Sequence, residues 1–248
     1  MEDFHGPNLK FARAQTHLQE FRELVALFLA AQKYKAVAKL DLEPGNLVWV
    51  VAGDGLYSHE ALSPTVSDAL HNLRDSLDLA ISVLVRNDGQ LDDHVEFPTA
   101  DDRDTFEKKL SRRKEFSTKL VAVLHSLEPY VGGRGTWLRT LHKLAAADKH
   151  RLIVSTVFGA DVVHVKADGV DVPMRFFNGP AALEVGKKLA RAKASEWPEI
   201  KHDQEEAITA TIAFDGRSGL LRGWEIHDGL IRLMNETQMA LDRLATCL

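Results

Sequence analysis

The chain has 248 residues, 45% of them hydrophobic and 27% charged, an ordinary globular composition with enough apolar material for a sizeable core. A formal net charge of -5 and a pI of about 6.1 exclude a global attraction to polyanions, so charge indicates neither nucleic acid nor an anionic membrane as a partner. The single cysteine, Cys247, excludes an internal disulfide and a thiolate zinc cluster, and a reducing cytoplasmic compartment fits.

The opening "MEDFHGPNLKFARAQ" has no basic segment followed by an apolar one, so no secretory leader is expected. After Pro7, apolar residues at Leu18, Phe21, Leu24, Val25, Phe28 and Ala31 predict a long helix ending near Lys35. Its apolar run from Leu24 to Ala31 is too short to span a bilayer. "AVAKLDL", the turn residues "EPGN" and the β-branched "LVWVVA" predict a hairpin over Ala36 to Ala52. Ser63 before Pro64 reads as an N-cap with proline at the first helical position, opening a helix that closes near Asn87. Thr99 with Asp102 resembles a capping signal for a short helix carrying Phe106 and Leu110. Another helical segment carries Phe116, Leu120, Leu124 and Leu127 up to Pro129, and Thr136 caps the next one.

From Leu152 the pattern turns to strands. "LIVSTVF" and "VVHVKA" read as two strands, Asp168-Gly169 as a turn, and "VDVPMRFF" as a strand whose Pro173, with no N–H to give a ladder, suggests an edge position or a bulge. "AALEVGKKLARAKA" fits a helix or a hairpin, with Gly186 in its middle favouring the hairpin, and "ITATIAF" reads as a further strand. A final helix runs from about Leu221 to Leu244, with Ile226, Leu230, Leu233, Met234 and Leu241 inward. The order implies a single α+β domain over residues 1–248, a helical bundle with an antiparallel β-sheet packed against it. Its helical core spans about 8–35, 63–151 and 221–246, and its strands about 36–52 and 152–217.

Two polar clusters lie on helices that otherwise bury apolar faces. In "ALHNLRDSLDLAISVL", at 100° per residue, His71, Arg74, Asp75 and Asp78 share an arc of roughly 100°. Leu73, Leu77, Ala80 and Leu84 occupy a separate arc of roughly 60°, so the polar stripe borders the core. In "WLRTLHKLAAADKHRLIV", Asp148 falls between Leu141 and Leu144 on the apolar side and needs a cation, with Arg74 the preferred partner and Arg151 the local alternative. A network that fixes helix register accounts for these charges; the alternative is a catalytic site drawn from His71, Arg74, Asp78, Asp148 and His150.

An imidazole beside a carboxylate is suited to acid–base work, yet the chain has no G-x-S-x-G and its cysteine is terminal. His71 and Asp75, four apart on one face, are weak metal candidates that His142, Asp148 or His150 could complete; Arg74 in the same stripe would repel a cation. "VGGRGT" lacks the lysine and spacing of a P-loop and reads as a plain loop. The five Asp-Gly pairs, at 54, 88, 168, 215 and 228, read as turns. Lys108, Lys109, Arg112, Arg113 and Lys114 follow Asp101, Asp102, Asp104 and Glu107, an order that suits a helix dipole and reads as a solvated helix face. No cofactor is implied.

"ALHNLRDSLDLAISVL", "FPTADDRDTF", "LEPYVGG" and "LAAADKHRLIV" together resemble a widespread bacterial protein family marked by H-N-x-R-x-x-L-D and D-K-H-R, most clearly over Lys35 to Val157. That family has no established activity, so the resemblance implies a soluble bacterial protein. More distantly the chain resembles HEPN domains, helical bundles that often form homodimers and in many members cleave RNA through R-x(4–6)-H. Arg74 sits where such an arginine would be, but Leu79, Ala80 and Ile81 fill the positions of the histidine; the literal match, Arg222 to His227, is expected by chance. The resemblance therefore implies an inactive or altered ribonuclease. The leading expectation is a non-enzymatic or accessory binding protein with a structural polar network. A HEPN-like ribonuclease or nucleotide-handling enzyme is the alternative, and a metal-dependent hydrolase the third.

Overall fold

The computed structural model describes residues 3–31, 35–53, 62–90, 95–148, 156–167, 170–175, 181–182, 186, 188–196, 205–214, 221 and 224–248. These form an α+β fold. Helix α1 (His5–Ala31) leads into strands β1 (Lys35–Leu40) and β2 (Asn46–Ala52). Four helices follow: α2 (Ser63–Asn87), α3 (Arg103–Leu110), α4 (Thr118–Leu127) and α5 (Thr136–Asp148). Strands β3 (Thr156–Ala167), β4 (Val170–Arg175), β5 (Ala181–Ala182), β6 (Lys188–Lys193) and β7 (Glu205–Phe214) come next, and α6 (Ile226–Ala245) closes the order.

Helix α2 is the axis, packed against α1, α5 and α6. Leu73, Leu77, Ala80 and Leu84 are all buried, as the helical arc requires. The sheet joins this core through alternate residues of its central hairpin. Ala36 stands opposite Val51 and Ala38 opposite Trp49. Cross-strand partners share a face, so these side chains, with Leu47, enter the same apolar cluster as the helices.

The strand order is β4-β3-β7-β1-β2-β6, with β5 also on β3. Strand β4 is therefore an edge, which is where Pro173 can sit without breaking a ladder. Two expectations are corrected. "LIVSTVF" and "VVHVKA" contribute to one strand, β3, because a register shift against β7 between Ala160 and Val162 absorbs Asp161 as a bulge. The segment around Gly186 is no hairpin: β5 pairs with β3 while β6 pairs with β2. Gly186, at φ +85°, donates its N–H to Val51 O at 2.8 Å, which carries the chain across to the far edge. The Asp168-Gly169 turn lies outside the described residues.

The helix ends also move. Leu62, not Ser63, stands at the N-cap position of α2, without a side-chain cap, and Asp102, not Thr99, caps α3 by accepting from Thr105 N at 2.7 Å. Helix α1 is described as far as Ala31, and Lys35, expected near the helix end, already belongs to β1. Its core stripe is Phe11, Ala14, Leu18, Phe21, Val25 and Phe28; Leu24 lies on the neighbouring strip and is 39% exposed. Phe116 precedes α4, which Ser117 caps.

Helix α6 begins at Ile226 rather than Leu221, whose φ of +57° lies outside the helical region. Ile226, Leu230, Leu233 and Leu241 are buried, and Met234 is partly so. Asp228-Gly229 is thus no turn but the first turn of α6. Glycine is needed there for space: a Cβ on Gly229 would come within 2.8 Å of Phe214 Cε2. Alanine normally gains about 1 kcal/mol over glycine inside a helix. Gly229→Ala is expected to lose roughly 1–3 kcal/mol instead, through overpacking. The urea midpoint measures it, and Phe214→Leu in the same chain should return the usual gain.

Candidate functional site

Arg74 enters the core rather than bordering it, at 6% exposure. Its Nη2 lies 2.7 Å from Asp78 Oδ1 and its Nε donates to Asp78 Oδ2 at 3.0 Å, a bidentate pair one helical turn apart. Both side chains then reach past the helix to one peptide unit. Arg74 Nη2 donates to Phe97 O at 2.9 Å, and Asp78 Oδ1 accepts from Phe97 N at 2.7 Å. Among the described residues the Phe97 main chain pairs with no strand, and α2 supplies its hydrogen bonds. Phe97 itself is 1% exposed and anchors the segment by its ring. Burial pushes the Asp78 carboxyl above the usual carboxylate range, and the Arg74 charge and the Phe97 N–H oppose that rise. Arg74 Nη1 is buried with no hydrogen-bond partner.

The chain continues into a corner built on Thr99. Lys109 Nζ donates to Thr99 O at 2.7 Å, and Arg139 Nη1 donates to Thr99 Oγ1 at 3.3 Å. Arg139 and Lys143 both hold Asp101, at 3.0 and 2.5 Å. Hydrogen bonds from Lys143 and then Arg139 hold the Asp101 carboxyl at about 2. A cleft of about 200 Å³ opens between the Glu96–Thr99 segment, Lys109, Arg112, Arg113 and His142 of α5. Burial, then the charges of Arg74 and Arg139, push the His142 imidazole down to about 4, so it is neutral at pH 7.

The other residues of the first polar stripe go elsewhere. Asp75 accepts from Lys10 Nζ at 2.8 Å, tying α2 to α1. His71 is half-buried on α2, and Asn72 donates to Asp68 O within the helix. Among the described residues no group of three or more His, Cys, Asp or Glu side chains could hold a metal ion, and the Asp148 and His150 side chains that could complete a site with His71 and Asp75 lie outside them. Asp148 is the last residue of α5, but its side chain, with Lys149, His150, Arg151 and Arg222, lies outside the described residues. The expected Arg74–Asp148 contact lies outside them too. The carboxylates found at Arg74 are Asp78 and, at 3.8 Å, Glu96.

The basic run 108–114 is corrected. Helix α3 ends at Leu110, so Arg112 and Arg113 leave the helix axis and line the cleft with Lys109. Arg113 also pairs with Glu115 at 3.2 Å. The "VGGRGT" loop serves its own chain. Gly133 N donates to Tyr130 O, Gly135 N to Glu128 O, and Gly132 N to Thr136 Oγ1. Arg134 N and Nε both donate to Glu128 Oε2 at 3.1 Å, so the loop's anion is its own carboxylate.

The chain matches no family model, no curated protein and no solved structure. Among the described residues no helix is long and apolar enough to cross a membrane.

Proposed function

We propose that this chain is a non-enzymatic, accessory binding protein of the bacterial cytosol, in which Arg74 and Asp78 are structural and hold one wall of the cleft in place. One observation carries this reading. Two of the five candidate side chains, Arg74 and Asp78, direct Nε, Nη2 and both carboxylate oxygens at each other and at the main chain of Phe97. A general acid or base has to reach a substrate proton, and groups so engaged do not. The sequence resemblance built on H-N-x-R-x-x-L-D supports the bacterial assignment, and the lone Cys247 the reducing compartment.

The test is incubation of native protein and Asp78→Asn with single-stranded RNA, with and without divalent metal, beside the melting temperature of each. Expected are intact RNA in every sample and a clearly lower Tm for Asp78→Asn. RNA cleaved by native protein and spared by an Asp78→Asn variant of unchanged Tm would reverse the assignment in favour of a ribonuclease.

A further inference from the structure

We infer that the cleft between Phe97, Thr99, Lys109, Arg112, Arg113 and His142 is a binding site for a small phosphate dianion, either inorganic phosphate or a small phosphomonoester. The inference rests on the binding-protein reading and gives it a ligand class.

Charge is the first argument. Three cations, Lys109, Arg112 and Arg113, line the cleft against one carboxylate, Glu96. Glu115 pairs with Arg113, Asp78 with Arg74, and Asp101 with both Arg139 and Lys143. Among the described residues, these cleft and ring groups taken together keep two uncompensated positive charges, in a chain whose formal net charge is -5. A dianion neutralises that excess; a monoanion leaves half of it. Arg112 enters no ion pair among the described residues, so its guanidinium fork is available, and forks of this kind bind tetrahedral oxyanions through paired hydrogen bonds.

Rigidity is the second argument. Lys109 is fixed by Thr99 O, Thr99 Oγ1 by Arg139, and Phe97 by Arg74 and Asp78, so the wall is set before a ligand arrives. Size is the third. At about 200 Å³ the cleft falls below the ~300–1,000 Å³ of sites for drug-sized ligands, which leaves a phosphate group with little or no organic body. Phe97 and Pro98 give that body an apolar wall. His142, kept uncharged first by burial and then by the charges of Arg74 and Arg139, adds a hydrogen-bonding group from the side of α5.

The experiment is thermal shift and calorimetry on the full chain with inorganic phosphate, methyl phosphate and dimethyl phosphate, at constant ionic strength held with chloride. Phosphate and methyl phosphate are expected to raise Tm and give saturable heat. Dimethyl phosphate, a monoanion, should bind at least about tenfold more weakly. Arg112→Gln with Arg113→Gln should weaken phosphate at least about tenfold while leaving the ligand-free Tm near native, and the exposed Arg103→Gln should change neither. Absence of any shift or heat with both dianions would overturn the inference, as would phosphate binding undiminished in the double variant. Dimethyl phosphate binding as tightly as methyl phosphate would also overturn it, and would point to the diester backbone of a nucleic acid. None of these failures touches the structural role of Arg74 and Asp78, which fails on RNA cleavage lost in Asp78→Asn.

Discussion

Arg74→Met is expected to cost about 3–5 kcal/mol of folding stability, the usual result of removing one partner from a buried ion pair. For a chain of this size that lowers Tm by about 6–20 °C. The loss has a geometric origin. Methionine fills much of the space but leaves the Asp78 carboxylate facing Phe97 O with its cation gone, and Phe97 O loses its donor. Asp78→Leu added to Arg74→Met should recover a good part of the loss, because the stranded charge goes with its partner. The pH dependence has a definite sign. The folded-state pKa of Asp78 already lies above its ordinary 3.8, so in that window the folded chain holds more protons than the unfolded one. Stability from this group is complete below 3.8 and falls as pH rises through the folded value. Without the Arg74 charge that value climbs further, so the deficit of Arg74→Met should be smaller near pH 4 than at pH 7. Urea unfolding at both pH values measures it. A deficit below about 1 kcal/mol at pH 7 would show that the clamp does not hold the segment.

The core of α2 was legible because its apolar residues keep one helical arc over 25 residues, and tertiary packing had no reason to override it. The Arg74–Asp78 pair was half legible. Its i,i+4 spacing is visible in the sequence, but its purpose lies in Phe97, a residue 19 positions beyond Asp78 whose main chain pairs with no strand among the described residues. No periodicity marks such a segment; the cue is an apolar residue before proline, followed by a buried threonine. The cleft was missed for a different reason. Lys108 to Lys114 read as a continuous helical face, whereas the helix stops at Leu110 and turns two arginines toward α5. A boundary displaced by a few residues is enough to turn a helix face into the wall of a cleft. The reverse holds at Gly229, where an Asp-Gly pair signals a turn but close approach to Phe214 is what requires glycine.

Acidification from pH 6.5 toward 4 is expected to destabilise the protein through His142. Its folded-state pKa is depressed from 6.5 to about 4, so between those values the unfolded chain binds a proton that the folded chain refuses. Stability from this group is therefore fully present above 6.5 and is lost as pH falls toward 4. Burial is the largest cause, and the charges facing the imidazole add to it. Arg74 from α2, Arg139 from α5 and Lys109 from α3 all repel a second positive charge, and Glu96 offsets them only in part. The ring is half-buried and water screens it, so the loss is on the order of 1–2 kcal/mol, or about 2–8 °C in Tm. His142→Gln, which cannot take up the proton, should flatten this limb of the stability curve while keeping a hydrogen-bonding group in the cleft. The same slope in His142→Gln as in native protein would assign the transition to another group.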